Sequence, residues 1–81
     1  MAKPSPKHSQ NPSLVALGAT IRSLRGEFSM SQEALALAAD LDRSYVGGIE
    51  RGEHNLTVVN ITKIANALNI KISELLLKSG L

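Results

Sequence analysis

The residues with chemistry to offer gather between positions 32 and 57. Gln32, Arg43, Ser44, Tyr45, Arg51, Asn55 and Thr57 supply amides, hydroxyls and two guanidiniums, with Gly47 and Gly48 set among them. A guanidinium is a rigid fork of N–H donors that fits the paired oxygens of a carboxylate or phosphate, or O6 and N7 of a guanine. Neutral amides and hydroxyls donate to the same acceptors. Bond-making chemistry finds no comparable support. There is no Ser-His-Asp set and no carboxylate pair, and Gly47-Gly48 lacks the following lysine of a phosphate-binding loop. His8 and His54 stand alone, with no second ligand at metal spacing. The absence of cysteine removes disulfides, cysteine-based zinc sites and thiol nucleophiles. The expectation is a non-enzyme without metal or cofactor, whose donors recognise an anion or a base edge.

Two helices must position these donors. Ser31 and Asp42 are good N-caps, and the charge of Asp42 also suits the positive end of a helix. Apolar residues at Leu35, Ala36, Ala39, Leu41, Val46 and Ile49 alternate with polar ones at helical spacing. The link Ala39-Asp40-Leu41 is too short for antiparallel packing and favours the steep crossing of a helix-turn-helix. Residues 31–51 are predicted to form that motif. Its second helix stands proud of the body and fits the major groove of duplex DNA.

The segment SQEALALAADLDRSYVGGIERG, followed by NLT and then KIANALNIKISELL, resembles the Cro/C1-type (Xre-type) bacterial helix-turn-helix repressors. The resemblance runs from roughly Leu14 to Leu76. Within that group, LDRSYVGGIERGEHNLTV is similar to the restriction–modification controller proteins, which are small autoregulatory dimers. The resemblance implies a lambda-repressor-like, all-α bundle of five helices. It also implies that Gln32 touches the DNA backbone and braces side chains of the recognition helix. It pairs Arg25, late in the first helix, with Glu50 as a structural ion pair. Two positions depart from the family pattern. Asp40 stands where the turn usually has glycine, and it tolerates left-handed geometry better than most residues. Lys71 stands where a capping serine or threonine is common, so the fifth helix is expected to begin late or fray.

On this scheme Arg43, one residue past its cap at the tip of the recognition helix, reads a guanine, worth about 1–3 kcal/mol of discrimination. The alternative is an exposed arginine paired with Asp40 or Asp42. Ser44, Gly47, Gly48 and Arg51 share the outward face. Two adjacent helical glycines cost roughly 2 kcal/mol relative to alanine, which close backbone approach to bases would justify. Gly48 is favoured for that role and Gly47 is left undecided between it and packing against the preceding helix. Arg51 reaches a phosphate or a base edge. Tyr45 either donates to a phosphate, rests on base edges or packs over Leu41. Asn55, Thr57 and the amides opening the fourth helix form a second phosphate clamp, or else shape the loop and cap the helix.

Eighty-one residues make one domain. Hydrophobic residues reach 43% but aromatics only 2%, so the core must be aliphatic, as packed helices prefer. Residues 1–12 hold three prolines and two lysines and are read as a flexible basic arm; residues 13–81 are read as the DNA-binding domain. The first helix is expected over 13–27, with Leu14, Leu17, Ile21, Leu24 and Phe28 as one apolar stripe. Thr57 caps a fourth helix with core face Val58, Ile61, Ile64, Ala65 and Leu68, stopped at Asn69. A fifth helix spans Ile72–Ser79 and is ended by Gly80. Residues 1–26 carry four basic groups and no acid, whereas residues 27–81 are net −2. DNA contact therefore depends on placed donors and helix N-termini rather than a basic blanket. No apolar run approaches the ~20 residues of a membrane span, and a cytoplasmic location is expected.

Leu76, Leu77 and Leu81 of the last helix are read as a two-fold dimer interface, because one short recognition helix reads few bases. The predicted function is a homodimeric, sequence-specific regulator of transcription on an inverted-repeat operator, with RNA polymerase as a candidate further partner. A phage-like repressor and an antitoxin-type interaction module are the alternatives.

Overall fold

The computed structural model describes residues 11–81. They form five helices: α1 (Pro12–Glu27), α2 (Gln32–Ala39), α3 (Arg43–Glu50), α4 (Val58–Ala67) and α5 (Ile72–Lys78), with no strand among them. The basic arm read over residues 1–12 lies almost wholly outside the described residues. Its last two positions belong to α1 instead. Asn11 is the N-cap, accepting from Ser13 N at 2.9 Å, and Pro12 opens the helix where its missing N–H costs nothing.

Side chains start three further helices as expected. Ser31 Oγ accepts from Ala34 N at 3.0 Å, Asp42 Oδ2 from Ser44 N at 3.1 Å, and Thr57 Oγ1 from Asn60 N at 3.1 Å. The expected late start of the last helix does not occur. Lys71 occupies the cap position with no side-chain cap bond, and its own N–H donates to Glu74 Oε1 at 3.4 Å, the reciprocal half of a capping box.

All five helices stop in the same way. Ser29, Asp40, Gly52, Asn69 and Gly80 each adopt positive φ. The N–H of the following residue, Met30, Leu41, Glu53, Ile70 or Leu81, bonds a carbonyl five residues back at 2.9 to 3.0 Å. This is the Schellman stop, which satisfies carbonyls the helix leaves open. Asp40, at φ 56° and ψ 47°, adopts the left-handed geometry expected of it at the turn.

The core is aliphatic: Leu17, Ile21 and Leu24 from α1; Leu35, Ala36 and Ala39 from α2; Val46 and Ile49 from α3; Ile64, Ala65 and Leu68 from α4; and Leu75 from α5. Helix α3 packs on α1 and α2, α4 packs on α2, and α5 closes the bundle against α1 and α4. Gly18 permits the closest approach. A Cβ there would meet the Ile49 carbonyl oxygen and lie 2.7 Å from that of Glu50, so α1 and α3 touch backbone to backbone.

Two apolar expectations fail. Phe28 is 55% exposed, because α1 ends at Glu27 and the left-handed turn at Ser29 leads the chain away before the stripe can continue. Val58 is 70% exposed: it is the first residue of α4, and that helix is fully buried only at Ile64 and Ala65.

Candidate nucleic-acid interface

Helices α2 and α3 present the predicted motif, and the links holding α3 are polar as well as apolar. Glu50, at its end, is buried and accepts three bonds: from Arg25 Nε at 2.7 Å, Arg25 Nη2 at 3.1 Å and Gln32 Nε2 at 3.0 Å. Arg25 Nη1 also donates to the Met30 carbonyl at 2.9 Å. The bond from Glu50 raises the Arg25 pKa further above its usual range. One carboxylate thus ties α1, the start of α2 and the end of α3 together. The ion pair is structural, and Gln32 is the brace the resemblance implied.

Along α3, positions 43, 47 and 51 follow at intervals of four and share a face. Arg43 is exposed and forms no hydrogen bond or ion pair among the described residues, so the alternative pairing with Asp40 or Asp42 is absent. Ser44 is half-buried and its hydroxyl donates to Asp42 Oδ2 in a short bond that reinforces the cap. That hydroxyl, followed by the Tyr45 backbone N–H, lowers the Asp42 pKa below the usual carboxylate range.

The sequence favours Gly48 for the outward face and leaves Gly47 undecided; the two meet different surroundings. Gly48 faces inward: a Cβ would lie 2.6 Å from His54 Cδ2 and closer still to His54 Nε2. Gly48 is therefore a packing residue, and the outward role favoured for it does not fit its buried position. A Cβ on Gly47 would lie 3.2 Å from Arg51 Nη1 and 3.6 Å from Gln32 Oε1. Gly47 lies between the two long donors and lets Arg51 lie back along the helix.

Tyr45 is half-buried and packs against the core. Its ring centroid is 4.9 Å from that of the buried His54, and its hydroxyl accepts from Asn60 Nδ2 at 3.1 Å. The hydroxyl hydrogen is left to donate outward. Asn60 and His54 were not anticipated as supports of this face. Asn60 gave no signal, whereas Gly48 was a clue that something large lay behind the helix. Asn55 is exposed, and Thr57 caps α4 by satisfying Asn60 N. No side-chain cap bond reaches the amides of Val58 and Val59, at the start of α4.

At the far end, Leu77 and Leu81 are 76% and 53% exposed, whereas Leu76 is half-buried against the core. Among the described residues no group of three or more His, Asp and Glu converges to hold a metal. No helix is long and apolar enough to cross a membrane.

A helix-turn-helix family model matches residues 21–75, which span the second half of α1, all of α2–α4 and the start of α5. Control protein C.SmaI of Serratia marcescens is 40% identical over 65 residues, covering 80% of this chain and 77% of that protein. The chain belongs to the helix-turn-helix controller-protein family. The crystal structure of the restriction–modification controller protein C.AhdI from Aeromonas hydrophila is 53% identical. It superposes with a TM-score of 0.75 over 76% of this chain and 94% of that one. C.Esp1396I bound to a 25 base pair operator site is 36% identical, with a TM-score of 0.74 over 83% of this chain and 92% of that chain. These relatives are regulators rather than enzymes, and the all-α, lambda-repressor-like fold is shared throughout the family match.

Proposed function

We propose that this protein is a sequence-specific, double-stranded-DNA-binding transcriptional regulator that acts as a homodimer on an inverted-repeat operator, in the manner of restriction–modification controller proteins. The observation that carries the reading is the face of α3, where an unpaired Arg43 and a backbone-hugging Arg51 flank a side-chain-free Gly47. That the similar C.Esp1396I is bound to a 25 base pair operator site supports duplex DNA as the partner.

Arg43 reads a base edge, and Tyr45, held by Asn60, donates to a phosphate. Gln32, Asn55, Thr57 and the open amides of α4 add phosphate contacts, which the dipole of that helix favours. Ser44 contributes by fixing the cap that aims Arg43. Leu77 and Leu81, with the outer edge of Leu76, supply the two-fold contact that sets half-site spacing. The regulator works in the cytoplasm, and its bound dimer acts by occupancy at a promoter, either excluding RNA polymerase or engaging it. Autoregulation follows the controller-protein relatives.

Selection of bound duplexes from a random DNA pool by the purified protein tests this. Enrichment of an inverted repeat is the expected result, and Arg43→Ala should then relax preference at one base pair per half-site by about tenfold. A folded protein that enriches no sequence overturns the proposal. An Arg43→Ala variant weakened equally on every sequence would make Arg43 a phosphate contact.

A further inference from the structure

The stop after α3 differs from the other four. In the Schellman motif the residue after the left-handed position usually makes an apolar contact back to the helix. Met30, Leu41 and Ile70 do so and pack against the core, and Leu81 is also apolar. After α3 the equivalent residue is Glu53. Its backbone completes the stop by donating to the Gly48 carbonyl at 2.9 Å, so the stop does not need a carboxylate. The carboxylate is nonetheless held: Arg51 Nε donates to Glu53 Oε2 at 2.8 Å and Arg51 Nη2 to Glu53 Oε1 at 3.2 Å. The Glu53 side chain is only 19% exposed, whereas that of Arg51 is 58% exposed.

We propose that Glu53 is a specificity-determining positioning residue, which holds the Arg51 guanidinium across Gly47 so that its free edge meets a base. The inference rests on the DNA-reading assignment above. Glu53 occupies the Nε–Nη2 edge of the fork, and the Nη1–Nη2 edge keeps two N–H groups able to match O6 and N7 of a guanine. Nη1 lies against Gly47, beside the Gln32 amide, so the fork is fixed on the α3 face rather than swung toward the backbone. The carboxylate also neutralises the guanidinium, which makes capture by an arbitrary phosphate weak. A base that offers two aligned acceptors still rewards the fork. Glu53 thereby trades affinity for discrimination, which suits a body whose residues 27–81 are net acidic. The Arg51 bond lowers the Glu53 pKa, so the carboxylate stays charged at neutral pH.

The test compares the full chain with Glu53→Ala, Glu53→Gln, Arg51→Ala and the Glu53→Ala/Arg51→Ala pair. Each binds the duplex enriched by the wild-type protein and a random duplex of equal length, over a salt series. Glu53→Ala is expected to bind random duplex more tightly and to lose about tenfold in operator-over-random ratio per half-site. Its salt slope should steepen by about 0.9 per half-site as Arg51 turns to a phosphate. Glu53→Gln, which keeps an acceptor but not the charge, should fall between. In the Arg51→Ala background the Glu53 effect should vanish. An unchanged ratio in both Glu53 variants overturns the proposal, as does an effect that persists without Arg51. Failure of the wild-type protein to prefer any duplex would instead overturn the DNA-reading assignment itself.

Discussion

The triangle of Arg25, Glu50 and Gln32 allows a quantitative test of what holds the recognition helix in place. Glu50 has a side chain 3% exposed and accepts from Arg25 twice and Gln32 once; the Arg25 side chain is 17% exposed and has Met30 as a second partner. Breaking a buried pair by removing one member costs about 3–5 kcal/mol, because a charge is left without compensation. The two truncations should differ. Arg25→Ala strands a nearly dry carboxylate that keeps only one neutral donor, which places it near 5 kcal/mol. Glu50→Ala strands a guanidinium that retains the Met30 carbonyl and some water, which places it near 3 kcal/mol. A body of this size has a total stability of about 4–10 kcal/mol, so Arg25→Ala should leave the fold close to its limit. The double variant removes both charges and should cost less than Arg25→Ala alone, which corresponds to a coupling of at least about 3 kcal/mol. Urea melts of wild type, both singles and the double, followed by far-ultraviolet circular dichroism, give these values. Single costs that add to the double within about 0.5 kcal/mol would refute the reasoning. So would a Glu50→Ala cost exceeding that of Arg25→Ala.

The glycines of α1 and α3 should respond in order of what a methyl group meets. Gly18→Ala forces apart two helix backbones and should cost about 3 kcal/mol, Gly48→Ala presses on His54 and should cost about 1 kcal/mol net, and Gly47→Ala should be near neutral in stability; thermal melts check the order. Because Gly47→Ala displaces Arg51, it should still lower the operator-over-random ratio in a binding assay. Asn60→Ala frees the Tyr45 hydroxyl and should weaken every duplex alike, by up to about tenfold, with Tyr45→Phe matching it. Asp42 and Glu53 both ionise more readily in the folded chain, Asp42 chiefly through the Ser44 hydroxyl and Glu53 chiefly through Arg51. Their stabilising contributions should be complete above the usual carboxylate range near about pH 4 and fall as acid protonates the folded forms. Melts of Asp42→Asn and Glu53→Gln from pH 7 to 2 should show a flatter acid limb than wild type.

The elements were legible because their signals are local. Ser31, Asp42 and Thr57 start helices through bonds spanning two or three residues, and Asp40 and Asn69 stop them through a single left-handed residue. The apolar expectations fail where a periodic pattern reaches the end of a helix. Phe28 continues the α1 spacing in the sequence, but the chain has already turned at Ser29. Val58 fits the α4 stripe by spacing, yet it is the first residue of that helix and stays exposed. At Lys71 the side chain offers no cap, and α5 nonetheless starts at Ile72, where Glu74 accepts the Lys71 N–H.

By itself the sequence determined where the helices start and stop and the helix-turn-helix, through capping chemistry and 3.6-residue periodicity, which are local. Its resemblance to a known family implied the Arg25–Glu50 pair, which spacing alone does not give. Only the tertiary structure decided which glycine lies under the donors and which lies against His54. It also decided that Asn60 holds Tyr45, that Gly18 admits the α3 backbone, and that Glu53 holds Arg51. Adjacent positions on a helix differ by about 100° in direction, so Gly47 and Gly48 are neighbours in sequence yet face different surroundings. What fills each direction is contributed by residues from a loop or another helix, and their distance is fixed only when the bundle closes.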